Sequence, residues 1–291
     1  MSTSLADRRL PERPRYRLTP TSALLTLAII SVAVIAAFPL VWMVLSSLKT
    51  PQESMQVPPI WLPGTPNLDA YTQVSDVIGL GRSFFNSAVI ALTTTTAIIV
   101  TSLMAGYAFA KYRFRHREAL FAVLIATMFL PPIVTLIPLY RLTGYLGLNG
   151  SLAGVLVPNL ANAFGIFLMR QFIRNVPDEL IEAARVDGAS ELRVLFQIVA
   201  PAVLPAIAAL ALFAFVYHWN SYLWPLTVLQ GNADAYPIVI SLSRLLSYNR
   251  GAMNTGLVMA GATLAVLPPV LLFVLLQRFF VDSIVSSGVK G

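Results

Sequence analysis

The chain contains no cysteine. A disulfide framework, a thiolate metal site and thiol redox chemistry are therefore excluded. Charge is also scarce, because Asp, Glu, Lys and Arg make up 11% of the 291 residues whereas 57% are hydrophobic. Soluble domains carry about 25% charged residues. This composition therefore indicates an integral membrane protein.

A phosphate-binding loop and charges within the apolar runs are lacking as well. No segment fits G-x-x-x-x-G-K-[ST], the loop whose backbone amides cradle nucleotide phosphates. His218 is the one ionisable residue away from the ends of the apolar runs. Ion-coupled carriers need intramembrane charges, which this sequence does not offer. If the chain transports actively, its energy must therefore come from another subunit. We expect no catalytic residue, metal site or cofactor in the chain itself.

Six apolar runs are each long enough to cross a membrane as a helix, which takes about 20 residues. They comprise residues 22–45, 85–110, 119–139, 152–172, 201–226 and 256–277. Prolines are expected to break the third run (Pro131, Pro132, Pro138), the fifth (Pro205) and the sixth (Pro268, Pro269). Such breaks either line a cavity or are simple packing kinks. The predicted fold is an all-α integral membrane protein with six transmembrane helices.

Lysine and arginine are distributed unequally between the two sides of these spans. The side that holds both chain termini carries fifteen of the 20 basic residues, and the other side carries five. The positive-inside rule therefore places both termini in the cytoplasm. This distribution explains the net charge of +7 without a nucleic-acid partner. The predicted organisation is a cytoplasmic tail (1–21), a six-helix transmembrane domain (22–280) and a second cytoplasmic tail (281–291).

A polar segment at residues 174–201 separates the fourth span from the fifth. Pro177 suits a first helical position, and Asp178 complements the positive end of the helix that follows. Gly188 suits the position just after this helix, and Ser190 suits the N-cap of the next. The segment is therefore predicted to form helix, turn and helix on the cytoplasmic face. An ordinary amphipathic surface loop would show the same periodicity.

The spacing of this segment resembles the EAA signature of ABC-importer permeases. The candidate ATPase-coupling residues are Glu182, Ala183, Ala184, Asp187, Gly188, Ile198 and Pro201. Ala200 stands where the family usually has leucine. In that family the loop forms a short coupling helix that docks in a cleft of the ATP-binding subunit. The resemblance implies that Glu182 orders the loop, that Gly188 permits its turn and that the two alanines allow close approach.

Other segments resemble the shorter, six-span permease of the carbohydrate-uptake branch, the maltose and glycerol-3-phosphate transporter family. They are residues 38–49, 86–110, 219–226 and 277–291. The resemblance implies a type I ABC importer transmembrane domain in the lipid of a prokaryotic cytoplasmic membrane. It implies three kinds of partner: a second, homologous permease, two copies of an ATPase that binds ATP and Mg, and an extracytoplasmic solute-binding protein. In the family, the loop equivalent to residues 227–255 meets that binding protein.

Polar and aromatic residues of the fourth and fifth spans are candidates for the solute path. They are Trp219, Asn220, Tyr222, Asn159 and Asn162. Aromatic rings stack on sugar faces, and amides hydrogen-bond hydroxyl groups in both directions. An aromatic belt at the membrane interface and hydrogen bonds between helices are the structural alternatives.

These features predict a permease subunit of an ATP-driven importer for a sugar or sugar-like solute, working by alternating access. Glycerol 3-phosphate or a glycerophosphodiester is the alternative solute within this class. A self-sufficient six-span channel or an ion-coupled carrier is the alternative from another class.

Overall fold

A computed structural model of the protein describes residues 20–249 and 254–288, and the regular structure in these ranges is helical throughout. The arginine-rich tail up to residue 19 lies outside the described residues, as do 250–253 and 289–291. In chain order, the α-helices of the described ranges are α1 (Pro20–Ser47), α2 (Pro51–Ser54), α3 (Asp69–Ile78), α4 (Leu80–Lys111), α5 (Arg117–Thr127), α6 (Pro132–Tyr145), α7 (Leu152–Leu156), α8 (Ala163–Ile173), α9 (Asp178–Val186), α10 (Glu191–Val194), α11 (Ala200–Ala202), α12 (Leu204–Trp219), α13 (Leu223–Val228), α14 (Ile238–Asn249) and α15 (Thr255–Gly288). Two 3₁₀ turns (Val157–Asn159 and Ala233–Ala235) and a π-helical turn (Leu195–Val199) complete this set.

Four stretches are individually long and apolar enough to span a membrane. They are α1, α4, the stretch Leu152–Ile173 that includes α7 and α8, and Thr255–Phe279 of α15. Two further spans are bent pairs, α5 with α6 at 99° and Glu191–Ala202 with α12 at 86°. With each bent pair counted once, the described chain has the six spans that the sequence predicts.

Most of the proline positions of the third and fifth spans lie at helix boundaries. Residues 128–131 separate α5 from α6, so Pro132 opens α6, whereas Pro138 lies inside that helix without ending it. Pro205 stands in the first turn of α12, where its missing N–H costs no hydrogen bond. The predicted fifth span, 201–226, is wrong in extent. The helix ends at Trp219, and the short α13 follows separately.

The predicted break of the sixth span is wrong, because α15 continues through Pro268 and Pro269. Proline removes the hydrogen bond to the carbonyl four residues earlier, which for Pro269 is the carbonyl of Ala265. That carbonyl accepts a hydrogen bond from the indole Nε1 of Trp219 on α12, at 3.0 Å. A neighbouring helix thus satisfies the freed group, as the membrane interior requires. The backbone of α15 stays helical to Gly288, inside the predicted C-terminal tail.

The helix α4 lies at the centre of the bundle and packs against α8 and α12. Ile98 of α4, Met169 of α8 and Leu210 of α12 are buried in one apolar cluster. Gly106 marks a close approach of α4 to α8, because a Cβ there would lie 2.6 Å from the Cβ of Met169. By contrast, α1 packs on α15 along one side, and its other apolar side chains, such as Ile35 at 71%, are exposed. Such a surface suits contact with lipid.

Candidate functional site

The polar segment after the fourth span folds as helix, turn and helix. Pro177 occupies the N-cap position of α9, one residue earlier than predicted. Gly188 adopts φ +78°, and its N–H donates to the carbonyl of Arg185 at 3.0 Å. The N–H of Ala189 donates to the carbonyl of Ala184, also at 3.0 Å. These two bonds form a Schellman motif, in which glycine at the left-handed position turns the chain sharply.

The second half of this segment leads into the fifth span. The hydroxyl of Ser190 caps α10 by accepting a hydrogen bond from the N–H of Arg193, as predicted. Ile198 lies in the π-helical turn, half-buried against the main apolar cluster. Pro201 is exposed in α11, immediately before the 86° bend into α12. We call residues 178–202 the coupling segment.

One carboxylate joins the two halves of the coupling segment to α4. The guanidinium of Arg185 donates to Glu191 from Nε (to Oε1, 2.8 Å) and from Nη2 (to Oε2, 3.2 Å). The hydroxyl of Tyr107, a residue that is only 4% exposed, donates to Oε2 of Glu191 at 3.0 Å. The hydrogen bonds that Arg185 donates to Glu191 raise the pKa of Arg185, so this pair stays charged. Sequence reasoning missed Glu191 and Tyr107.

A second contact fixes the start of α9 on the same end of α4. The Nζ of Lys111 donates to Oδ1 of Asp178 at 2.6 Å and to the carbonyl of Val176 at 2.5 Å. The lysine side chain is 8% exposed and the aspartate 72%. The hydrogen bond from Lys111 lowers the pKa of Asp178. The carboxylate also complements the positive end of the α9 dipole.

A third contact braces the neighbouring helices. The Nη2 of Arg170 on α8 donates to both carboxylate oxygens of Glu118 on α5, at 2.7 and 2.8 Å. Its Nε donates to the carbonyl of Phe109 on α4 at 3.2 Å, and its guanidinium lies 3.8 Å from the ring centroid of Phe121. From the sequence, Arg170 contributes only to the count of basic residues that orients the spans. In the structure, Arg170 joins α4, α5 and α8 beside the coupling segment.

The predicted coupling residues divide into exposed and packed groups. Glu182, Ala183, Asp187 and Gly188 are exposed, whereas Ala184 is 9% exposed and belongs to the main apolar cluster. The Glu182 carboxylate makes no hydrogen bond or ion pair with the part of the chain that the structure describes. The carboxylate that orders this turn is therefore that of Glu191. A role of Glu182 towards a partner stays a prediction.

Interruptions of three spans meet at a cavity of about 520 Å³. The interruptions are the α5–α6 bend, the 3₁₀ turn before α8 and the break after α12. The polar lining consists of Thr135, Asn159, Tyr217, Asn220, Ser221, Tyr222 and Trp224. Irregular backbone at membrane depth is tolerated where it is buried in protein or lines a cavity, and discontinuous helices are where transporters bind solute. We call this space the break cavity.

The helix lengths place the break cavity at membrane depth. Measured from the end of the bundle that carries the coupling segment, α5 and α8 each run for 11 residues, which is about 16 Å. Along α12, 16 residues give about 24 Å. The hydrocarbon core of a bilayer is about 30 Å thick. The three breaks therefore fall between the middle of the membrane and its far side.

Four of the five predicted path residues line cavities. Asn159, Asn220 and Tyr222 line the break cavity. Asn162 lines an adjoining cavity of about 470 Å³, which shares Tyr217 with the first. Its Oδ1 also caps α8 by accepting a hydrogen bond from the N–H of Gly165, at 3.0 Å.

Trp219 stands apart from both cavities. It is 2% exposed, its ring stacks on Phe215 at 5.5 Å between centroids and meets Phe84 edge-on at 5.8 Å. Its N–H is committed to the carbonyl of Ala265. The structure thus gives Trp219 a packing position outside the linings of both cavities, and its contact with solute stays a prediction.

The profile of the family described as "Binding-protein-dependent transport system inner membrane component" matches residues 97–286. This chain belongs to that family. It is 36% identical over 261 residues to the sn-glycerol-3-phosphate transport system permease protein UgpE of Agrobacterium fabrum, covering 87% of this chain and 92% of that protein. It is 33% identical over 274 residues to the arabinooligosaccharides transport system permease protein AraQ of Halalkalibacterium halodurans, covering 93% and 97%.

The fold is similar to a chain in the crystal structure of a bacterial ABC transporter involved in the import of the acidic polysaccharide alginate. The TM-score is 0.77 at 23% identity, covering 91% of this chain and 99% of that one. This likeness confirms the predicted all-α transmembrane architecture. Together with the family, it confirms the resemblance read from the coupling segment: the chain is a membrane permease subunit of an ABC transport system. A binding-protein-dependent family does not fit the alternative of a self-sufficient channel or carrier.

Proposed function

We propose that this permease subunit imports a sugar or sugar-like solute by alternating access. It would couple this import to ATP binding in a separate ATPase. The observation that carries the proposal is the anchoring of the coupling segment. Its exposed turn is tied through Glu191 and Arg185 to Tyr107 of the central helix. A push on this turn would therefore move the bundle.

The exposed face of the coupling segment suits a protein partner. Ala183 and Gly188 present almost no side chain, so a partner backbone can approach closely. Beside them, Glu182 and Asp187 supply charges that have no partner among the described residues. Two ATPase copies, which bind the ATP and Mg, would dock here and on a second, homologous permease. The positive-inside count supports a cytoplasmic position for this end of the bundle in a prokaryotic cell. No cofactor is expected in the chain itself.

The chemistry of the break cavity favours an uncharged solute. Of its described lining residues, none is Asp, Glu, Lys or Arg. A phosphate group at this depth would lose water without gaining a cationic partner from this chain, which is costly. Amides, hydroxyl groups and aromatic rings instead match a sugar. The relative named for glycerol 3-phosphate keeps that solute as the second candidate.

The outer partner would be a solute-binding protein that delivers its cargo to this chain. Residues 233–238, between α13 and the start of α14, lie at the end of α4 opposite the coupling segment, so they are available to such a protein. Opening and closing of the binding protein would accompany rotation of the two permeases about the bent spans. This rotation would open the cavity to one side of the membrane and then to the other.

Transport by the reconstituted complex tests the proposal. Proteoliposomes containing this chain, a second permease and an ATPase of its system, with the binding protein outside, are offered labelled arabinotriose or sn-glycerol 3-phosphate. We expect ATP-dependent accumulation of the saccharide. Accumulation of the phosphate alone would replace the sugar with the second candidate. Solute movement by this chain without the ATPase would contradict coupling altogether.

A further inference from the structure

The central helix α4 holds an outer segment of the chain by its backbone. We call residues 233–241 the outer segment. The amide Nδ2 of Asn86 donates to the carbonyls of Asp234 (2.8 Å) and Tyr236 (3.2 Å). The hydroxyl of Ser87 accepts a hydrogen bond from the N–H of Ile238 at 2.8 Å. Because the first N–H groups of a helix lack partners within it, Ser87 caps α14 from a different helix.

The α4 side of these outer contacts is buried. Asn86 and Ser87 are each 1% exposed, so water does not replace their hydrogen bonds. One turn earlier, the hydroxyls of Ser83 and Ser241 are 2.8 Å apart and also buried. If α4 moved away, the outer segment would leave buried polar groups unpaired, which is unfavourable. The outer segment must therefore follow α4.

The other end of the same helix holds the coupling segment. Tyr107 donates to Glu191, and Lys111 donates to Asp178. At the helical rise per residue, Asn86 and Tyr107 lie about 31 Å apart along the axis, which is the thickness of the hydrocarbon core. The polar contacts at the two ends of α4 are thus one membrane thickness apart on one element.

Between Asn86 and Tyr107, α4 has no proline, and its one glycine there, Gly106, is packed against Met169 of α8. The 32 residues of α4 form one uninterrupted helix without proline, whereas α1, α6 and α15 contain internal prolines. Its inner half is locked against α8. A Cβ at Gly165 would overlap the hydroxyl of Ser102, and one at Gly106 would lie 2.6 Å from the Cβ of Met169. Sharp kinks arise at proline, at glycine, at π-bulges or at inserted groups. Because Gly106 is held by this close packing, α4 is built to stay rigid.

We propose that α4 is a rigid rod that links the outer segment to the coupling segment, with Ser87, Asn86 and Tyr107 as positioning residues. The inference rests on the proposed function, in which the outer side receives the binding protein and the coupling segment meets the ATPase. Arrival of the binding protein shifts the outer segment, α4 moves with it, and the coupling segment is displaced towards the ATPase. Binding at either docking site would thereby shift the position of α4. Coupling between distant sites requires such a shared element.

A double-mutant cycle across the membrane tests this rod. Ser87→Ala removes only the outer hydroxyl, and Tyr107→Phe removes only the inner one. In the reconstituted complex, the readout is the stimulation factor, which is ATP hydrolysis with solute-loaded binding protein divided by hydrolysis without it. We expect each variant to lower this factor about fivefold, the lower end of usual coupling strengths. Because one rod is interrupted in either case, the double variant should also lose about fivefold and not about 25-fold.

Matched controls separate a loss of positioning from a loss of a hydroxyl in general. Ser31→Ala removes a hydroxyl that bonds only to the carbonyl of Leu27 in its own helix, and Tyr145→Phe changes a side chain that is 81% exposed. Both should leave the stimulation factor unchanged. If Ser87→Ala prevents assembly, Ser83→Ala replaces it, because it removes the contact with Ser241.

A loss of stimulation in the double variant equal to the product of the two single losses would contradict the rigid-rod proposal. Unchanged stimulation in both single variants would contradict it as well. Failure of the proposed function looks different. In that case the wild-type complex itself would show no stimulation by the binding protein and no ATP-dependent uptake.

Discussion

The indole N–H of Trp219 donates to the backbone carbonyl of Ala265 at 3.0 Å, and this carbonyl is one that Pro269 leaves without its helical partner. The bond joins the fifth span to the sixth inside the membrane. It satisfies one of the two carbonyls that the consecutive prolines of α15 leave without a helical partner. The ring also packs on Phe215, so the residue contributes both a hydrogen bond and buried apolar area.

Replacing Trp219 with Phe should therefore destabilise the protein without blocking solute binding. The ring would still pack, but the carbonyl of Ala265 would be buried and unpaired, at a cost of about 1–3 kcal/mol. Thermal unfolding in detergent should show a lower midpoint for Trp219→Phe. Trp61→Phe is the control, because Trp61 is 66% exposed and should lose less. Unchanged unfolding together with lost uptake would instead place Trp219 on the solute path.

Gly188→Ala should strain the turn of the coupling segment. Gly188 has φ +78° and no atom close to the position of a new Cβ, so the cost arises from the backbone alone, roughly 1–2 kcal/mol. Gly188→Asn should be milder, because asparagine adopts this conformation more readily. ATPase co-purification and solute uptake should fall in the order Gly, Asn, Ala.

The control for this turn is Gly81→Ala. A Cβ at Gly81 also meets no atom, and Gly81 does not adopt a positive φ. It should therefore behave as the wild type. Equal losses in Gly81→Ala and Gly188→Ala would show that the left-handed turn is not what matters.

Glu182 and Glu191 of the coupling segment should give opposite phenotypes. Glu191→Gln weakens the bonds to Arg185 and Tyr107, so the segment should loosen on the bundle and digestion by a protease should become faster. Glu182→Gln removes a charge that has no partner within the described chain, so proteolysis should stay unchanged while less ATPase co-purifies. Limited proteolysis of the lone permease and pull-down of the ATPase measure the two effects. If Glu182→Gln loosens the segment instead, the ordering role belongs to Glu182 after all.

Local features of the site could be predicted from the sequence, whereas contacts across the chain could not. The Gly188 turn and the Ser190 cap depend on neighbours within a few residues, so their spacing revealed them. Tyr107 and Glu191 are 84 positions apart, and nothing in either local pattern points to the other. The prolines show the same limit. Pro132 starts a new helix, whereas Pro269 does not. The indole N–H of Trp219, on another helix, bonds the carbonyl that Pro269 leaves free.

The absence of cysteine makes direct contact with solute testable at single positions. Tyr222→Cys would place one thiol in the break cavity of a chain that has no other, and Tyr145→Cys would place one at a residue that is 81% exposed and outside that lining. Bound arabinotriose should slow maleimide labelling at position 222, because a ligand in a pocket of this size covers most of its lining. Labelling at position 145 should not change. Protection at neither position, in a complex that accumulates the saccharide, would mean that the second permease makes the solute contacts and that this cavity serves only the movement of the bent spans.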